Sequence, residues 1–152
     1  MPNAASPSAE DIERFLAWRV VRTGREVERA LTRTIAEHEL TTTQFGVLSL
    51  LATGADLTQT DLARAVLVRP QSVGTLITSL TDRGLISRRG PGGRGRRTYV
   101  DLTAAGRDLI DQAWPAVTAT YSPGRLGLDE ADTDTLDRLL HTLESAAAEP
   151  QA

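Results

Sequence analysis

The chain has 152 residues, a net charge of -3, 40% hydrophobic residues and no cysteine. This length supports one folded domain, and the lack of cysteine excludes disulfides, thiol catalysis and thiolate metal ligands. No apolar run approaches the ~20 residues of a membrane span, and the N-terminal segment does not resemble a secretion signal, so we expect a cytoplasmic protein that does not enter the membrane.

The first half of the chain is predicted to be helical. Residues 1–9 are small and polar, and we expect them to form a disordered tail. Capping-box patterns, in which an acid or Gln follows a Ser or Thr by three residues, begin at Ser8, Thr41 and Thr58. The first pattern predicts a single long helix to about His38, and the other two predict shorter helices.

The second half of the chain predicts a helix, a hairpin and two more helices. Pro70 suits a first helical turn, and its helix, here called the reader helix, should run to Asp82 or Arg83. Strands are predicted at 85–88 and 98–102, around a turn rich in arginine and glycine, and helices at 103–121 and 129–147. The fold class is therefore mainly α with a small β-hairpin, as in a winged helix-turn-helix.

The reader helix has two chemically different faces. Its apolar face is predicted to contain Val73, Leu76, Ile77 and Leu80. The opposite face presents short polar side chains, namely Gln71, Thr75 and Thr78, flanked by Ser72 and Gly74. In a major groove, Gln can hydrogen-bond adenine and a threonine methyl can pack on thymine, while glycine permits a close backbone approach. The alternative is an ordinary amphipathic helix with a polar outer face.

The predicted hairpin, or wing, carries a dense positive charge. It contains five arginines with no acid among them: Arg88, Arg89, Arg94, Arg96 and Arg97. From Arg69 to Arg107 the net charge is +6, which leaves -9 for the remainder of the chain. Contact with DNA phosphates or a narrow minor groove would offset the mutual repulsion. We therefore predict that Arg88, Arg94, Arg96 and Arg97 bind double-stranded DNA together with the polar reader face.

Over residues 10–145 the sequence resembles the MarR-type transcriptional regulators. The motifs that carry the resemblance are Gln44-Phe45-Gly46-Val47-Leu48, Leu62-Ala63, Ser72-Val73, Asp82-Arg83-Gly84-Leu85-Ile86 and Leu102-Thr103-Ala104-Ala105-Gly106. The resemblance implies a single MarR-type domain over 10–152, with dimerisation helices at 10–38 and 103–148 and a DNA-binding lobe at 41–102. It also implies a homodimer, an inverted-repeat operator and repression relieved by a small ligand.

The wing departs from the family pattern at one position. The family usually has Asp two residues before the wing arginine, whereas here Arg94 precedes Arg96. The family Asp helps to hold the wing arginine in place, so the order of this wing without DNA is an open point. The resemblance makes Arg96 the candidate for the minor groove.

A ligand site is predicted on the first helix. Phe15, Trp18 and Arg22 are spaced i, i+3 and i+7, so an aromatic ring could stack there while the guanidinium pairs with a carboxylate or phenolate. We therefore expect an aromatic or phenolic effector. The alternatives are that Trp18 belongs to the dimer core or that the regulator has no ligand.

No enzyme chemistry is indicated by the sequence. The two histidines, His38 and His141, lack metal-ligand spacing, and no glycine-rich phosphate loop follows a strand. We expect neither a cofactor nor a metal. The competing function is a winged-helix module for protein contacts, with the wing binding an acidic partner; the short polar side chains of the reader face favour DNA.

Overall fold

The computed structural model describes residues 6–90 and 98–148. Its fold is mainly helical with a small antiparallel sheet, in agreement with the predicted winged helix-turn-helix. The elements in chain order are α1 (Ala9–Arg14), α2 (Leu16–Ala36), α3 (Thr42–Ala52), β1 (Leu57–Thr58), α4 (Gln59–Ala65), α5 (Pro70–Asp82), β2 (Ile86–Arg89), β3 (Tyr99–Leu102), α6 (Ala104–Thr120), a 3-10 helix (Pro123–Leu126) and α7 (Glu130–Ala148). The chain divides into two compact units, Met1–Trp114 and Pro115–Ala152.

The three predicted capping boxes are confirmed. In each box the N-cap hydroxyl accepts a hydrogen bond from the third helical N–H, and that residue's side chain accepts one from the N-cap N–H; the pairs are Ser8 with Asp11, Thr41 with Gln44 and Thr58 with Asp61. The hydrogen bonds from Ser8 lower the pKa of the Asp11 carboxyl. These boxes explain why α1, α3 and α4 begin where they do.

The single N-terminal helix predicted from Ser8 to His38 is wrong. Phe15 adopts an extended conformation, with φ -69° and ψ 103°, and separates α1 from α2. Helix α1 has six residues and none is buried. Because so short a helix is marginal by itself and no core contact holds it in line with α2, the regular apolar spacing does not enforce a continuous helix.

The sheet has three strands rather than the two that were predicted. Its order is β1-β3-β2, and both pairings are antiparallel. The additional strand, β1, consists of Leu57 and Thr58, which pair with Val100 and Tyr99. Two residues are too few to produce a recognisable alternation of apolar and polar side chains, so this strand could not be predicted from the sequence.

The core of the first unit joins the reader helix to the sheet. Its most deeply buried large side chains are Ile35, Val47, Leu48, Leu62, Ile77, Leu80, Ile86 and Val100. The first turn of α6 packs closely on the residues after α5, because Thr103 Oγ1 donates to the Gly84 carbonyl at 2.7 Å and Thr103 N–H donates to the Leu85 carbonyl at 3.1 Å. A Cβ at Gly106 would stand 2.1 Å from the Leu85 oxygen.

The second unit contains the end of α6, the 3-10 helix and α7. One side of α7 carries four leucines, Leu136, Leu139, Leu140 and Leu143, which are 38% to 47% exposed. Within residues 6–90 and 98–148, none of the helices has the length and apolar character needed to cross a bilayer.

Candidate DNA interface

The reader helix α5 presents a polar face to solvent. Its inner side chains Val73, Ile77 and Leu80 are at most 5% exposed. The polar residues Gln71, Ser72, Thr75 and Thr78 are all exposed. A Cβ added at Gly74 would have no atom of residues 6–90 or 98–148 within 4 Å, apart from the backbone of its own helix. The structure therefore places all five predicted reader residues together on an accessible surface.

Two concave surfaces flank this helix. One is formed by Gln71, Gly74, Thr75, Thr78, Ser79, Asp82 and Arg83. The other lies between α5 and the start of α3 and is lined by Thr41, Thr43, Gln44, Val68, Ser72, Thr75, Leu76 and Ser79. The Gln44 amide donates to Ser79 Oγ at 3.5 Å and so connects the two helices. Both surfaces offer hydrogen-bonding groups beside the reader residues.

The neighbouring arginines of β2 point to opposite sides of the sheet. Arg88 pairs with the buried Val100 and follows Ile86 by two residues, so its side chain leaves the sheet on the core side. At the edge of the core it meets the reader helix, where its Nη2 donates to Thr78 Oγ1 at 2.9 Å. Two predicted DNA-binding residues from different elements are therefore in direct contact.

Arg89 is held on the other side of the sheet by two acids. Its Nε donates to Asp101 Oδ2 at 2.9 Å, its Nη2 also bonds Asp56, and the guanidinium carbon lies 5.2 Å from the centre of the Tyr99 ring. These carboxylates raise the pKa of Arg89 above its already high ordinary value. Arg89 was predicted to be one of five wing arginines with no acid among them. This prediction is wrong for Arg89, because the pairing of β2 with β3 brings Asp101 to it and the loop before β1 brings Asp56.

The remaining predicted wing residues, Arg94, Arg96 and Arg97, lie outside the described residues. Arg83, which sequence reasoning did not select, lines the concave surface beside Thr78. Its position directly after the reader helix was the available signal. Asp56 was missed because only the fold brings it to Arg89.

The predicted effector residues are only partly brought together. Trp18 and Arg22 line a cleft of about 770 Å³ at α1 and the start of α2, with Glu10, Ile12, Glu13, Arg14, Arg19 and Thr23. Phe15 stands at the break between the helices, 62% exposed, and is not one of the lining residues. Glu10 pairs with Arg14 at 3.0 Å. Among the described residues, Arg19 and Arg22 have no ion-pair partner within 4.0 Å.

Comparisons with known proteins agree with this architecture. A sequence model of the MarR family matches residues 38–97. The chain is 30% identical over 130 residues to the HTH-type transcriptional repressor Rv2887 of Mycobacterium tuberculosis, covering 86% of this chain and 94% of that protein. The structure of the M. tuberculosis MarR family protein Rv2887 in complex with salicylic acid is similar, with a TM-score of 0.66, 27% identity and coverage of 84% and 95%. The S. aureus MepR–DNA complex shares the fold, with a TM-score of 0.74, 20% identity and coverage of 89% and 98%.

Proposed function

The chain belongs to the MarR family of transcriptional regulators, and on that premise we propose a homodimeric repressor that binds an inverted-repeat operator in double-stranded DNA. The observation that carries this proposal is the exposed row of Gln71, Ser72, Thr75 and Thr78 above a buried apolar face. These side chains match the donor and acceptor pattern of base edges in the major groove. The curated relative Rv2887 is itself named a transcriptional repressor.

The homodimer is supported by apolar side chains that the single chain leaves exposed. On α1 and α2, together with Phe15 between them, these are Ile12, Phe15, Leu16, Val20, Val21 and Val27, each at least 38% exposed. The four leucines of α7 add a second apolar surface. Clusters of exposed apolar residues mark association surfaces, and the helices concerned belong to the segments expected to form the dimer. A second copy of the chain would remove both surfaces from water.

Selection of DNA from a random duplex library tests the DNA-binding proposal. We expect an inverted repeat, a dimer in sedimentation, and a log-log salt slope of roughly -5 or steeper, at about -0.9 per phosphate. Gln71→Ala should change the selected bases, whereas the matched control Gln112→Ala, on the exposed surface of α6, should not. A monomer, a flat salt response or an unchanged motif in Gln71→Ala would contradict the proposal.

We further propose that an aromatic acid or phenol releases the repressor from DNA by binding in the cleft at Trp18 and Arg22. The cleft combines an indole 42% exposed with two arginines that lack an ion-pair partner in the described part of the chain. Stacking holds the ring, and the guanidinium groups hold the anion. The relative Rv2887 was crystallised with salicylic acid, which supports this class of ligand.

Salicylate is the first ligand to test. We expect salicylate to weaken operator binding. Release requires the ligand to bind the conformation that cannot bind DNA more tightly than the one that can. A tenfold difference between these two ligand affinities, about 1.4 kcal/mol, makes operator binding tenfold weaker at saturating ligand. Arg22→Ala should keep operator affinity and lose the response. Arg25→Ala, on the same helix but not lining the cleft, should keep both. A normal response in Arg22→Ala would refute the site, and a panel of aromatic acids without effect would refute the ligand class.

A further inference from the structure

We infer that Arg88 and Thr78 read one base pair together, and that the base they recognise is a guanine in the major groove of each half-site. This inference rests on the proposed function as a DNA-binding repressor. It assigns Arg88 to the reading surface, although its position in β2 had placed it with the arginines of the wing.

The position of Arg88 follows from the pairing of the sheet. Ile86 and Arg88 share the face of β2 that packs toward α5, and Ile86 is only 2% exposed. Arg88 follows Ile86 by two residues in β2 and lies beyond the edge of the core, so its side chain reaches the solvent-exposed side of the reader helix. Its Nη2 lies 2.9 Å from Thr78 Oγ1. Arg89 leaves the opposite face and is bound to Asp101.

The reader helix needs such a cation because it has none. Residues 70–82 contain no arginine or lysine, and Asp82 is their only charged residue. The amide of Gln71 and the methyl group of Thr75 suit A·T pairs, whereas guanine is most often recognised by an arginine that bonds O6 and N7 together. Arg88, fixed to the side of the helix, supplies the guanidinium that the helix itself lacks.

The hydrogen bond between Arg88 and Thr78 also determines whether the Thr78 hydroxyl can donate to a base. Its oxygen accepts from Arg88, so its own proton is directed away from the guanidinium and is available to a third partner. The guanidinium keeps four of its five N–H donors. The pair therefore presents donors side by side. Guanine offers two adjacent acceptors, O6 and N7, whereas cytosine and adenine each place an amino donor in the groove.

Operator affinities measured base by base test this inference. The full-length dimer is assayed at one salt concentration against the selected operator and against all single-base changes in one half-site. We expect the wild type to prefer guanine at one position by roughly 5- to 150-fold. Arg88→Gln and Thr78→Val should each reduce this preference at the same position, and the double variant should lose little more than the stronger single variant because the residues act as a unit.

Two further variants separate base reading from charge. Arg88→Lys keeps the positive charge but not the planar fork, so it should lose the preference for guanine and keep the salt slope. Arg89→Gln, the same change on the next residue, should leave the base preference at that position unaltered. Both variants should retain the fold, which thermal unfolding verifies.

Several results would overturn the inference. If Arg88→Gln weakens binding to every operator equally and reduces the salt slope by about 0.9 per half-site, Arg88 contacts a phosphate and not a base. Thr78→Val that alters a different position, or a selected half-site without guanine, would show that the two residues do not read together. A wild-type protein that selects no motif would instead contradict the proposed function itself, and this inference with it.

Discussion

Gly74→Ala should make the protein more stable and its DNA binding weaker. The residue lies inside the reader helix on the concave surface formed with Gln71, Thr75 and Thr78. Among the described residues, no atom outside the helix's own backbone lies within 4 Å of the Cβ that alanine would add, so the methyl group meets no obstacle from them. In the proposed complex the same methyl would stand between the helix backbone and the groove.

The two effects have separable magnitudes. Alanine is preferred over glycine inside a helix by about 0.8–1 kcal/mol, which corresponds to a rise in melting temperature of roughly 2–4 °C for a chain of this size. If the methyl displaces the helix enough to break one base contact, about 1–3 kcal/mol is lost. That loss lowers operator affinity about 5- to 150-fold.

Thermal unfolding and operator titration of the same preparation measure both changes. Gly24→Ala is the matched control for the helix-propensity effect, because that glycine also lies inside a helix, α2, and no described atom outside its own helix backbone lies within 4 Å of an added Cβ. It should raise stability, and it should leave operator affinity unchanged once sedimentation has shown that the variant is still a dimer, because α2 belongs to the proposed dimer surface. Unchanged affinity in Gly74→Ala would refute the close backbone approach, and lower stability would refute the open position.

Three other substitutions test local features of the first unit. Gly106→Ala should lower the free energy of unfolding by about 3 kcal/mol, because its methyl would stand 2.1 Å from the Leu85 oxygen; urea unfolding with a loss below about 0.5 kcal/mol would contradict this. Leu67→Gly should raise the free energy of unfolding by about 0.5–1 kcal/mol, and an unchanged urea midpoint would count against it. The side chain is 93% exposed and its backbone has a φ of 54°, so glycine removes the strain of a left-handed conformation, which exceeds the entropy cost of glycine. Arg89→Gln should lower the melting temperature more at low than at high salt, since salt screens its exposed pair with Asp101; an equal loss at both would show that charge is not the cause.

Local signals in the sequence were sufficient to predict most helix boundaries and the orientation of the reader helix. The capping boxes at Thr41 and Thr58 and the proline at the start of α5 act within one helical turn, so nothing distant is needed to interpret them. The spacing of Val73 and Ile77 likewise follows from helix geometry alone, which is why the polar face could be predicted residue by residue.

Features that depend on distant partners could not be predicted. The break at Phe15 has neither proline nor glycine to mark it, and β1 becomes a strand only because Val100 and Tyr99 lie beside it. Arg88 and Arg89 were both counted among five wing arginines with no acid among them. Their separation depends on the register of β2 and β3 and on Asp56, which precedes Arg89 by 33 residues. Sequence spacing contains no information about such a contact before the fold is known.

The close packing of the start of α6 on the two residues that follow the reader helix has a mechanical consequence. Thr103 is hydrogen-bonded to the carbonyls of Gly84 and Leu85, and Gly106 leaves no room for even a methyl group against the latter. Such close contacts contain no compressible space. A movement of the first turn of α6 is therefore transmitted to the C-terminal end of α5. Binding geometries tolerate errors of only about 0.5 Å. We therefore expect a tilt of this turn by a fraction of an ångström to misalign the reader helix, so that the proposed release from DNA requires no part of the chain to unfold.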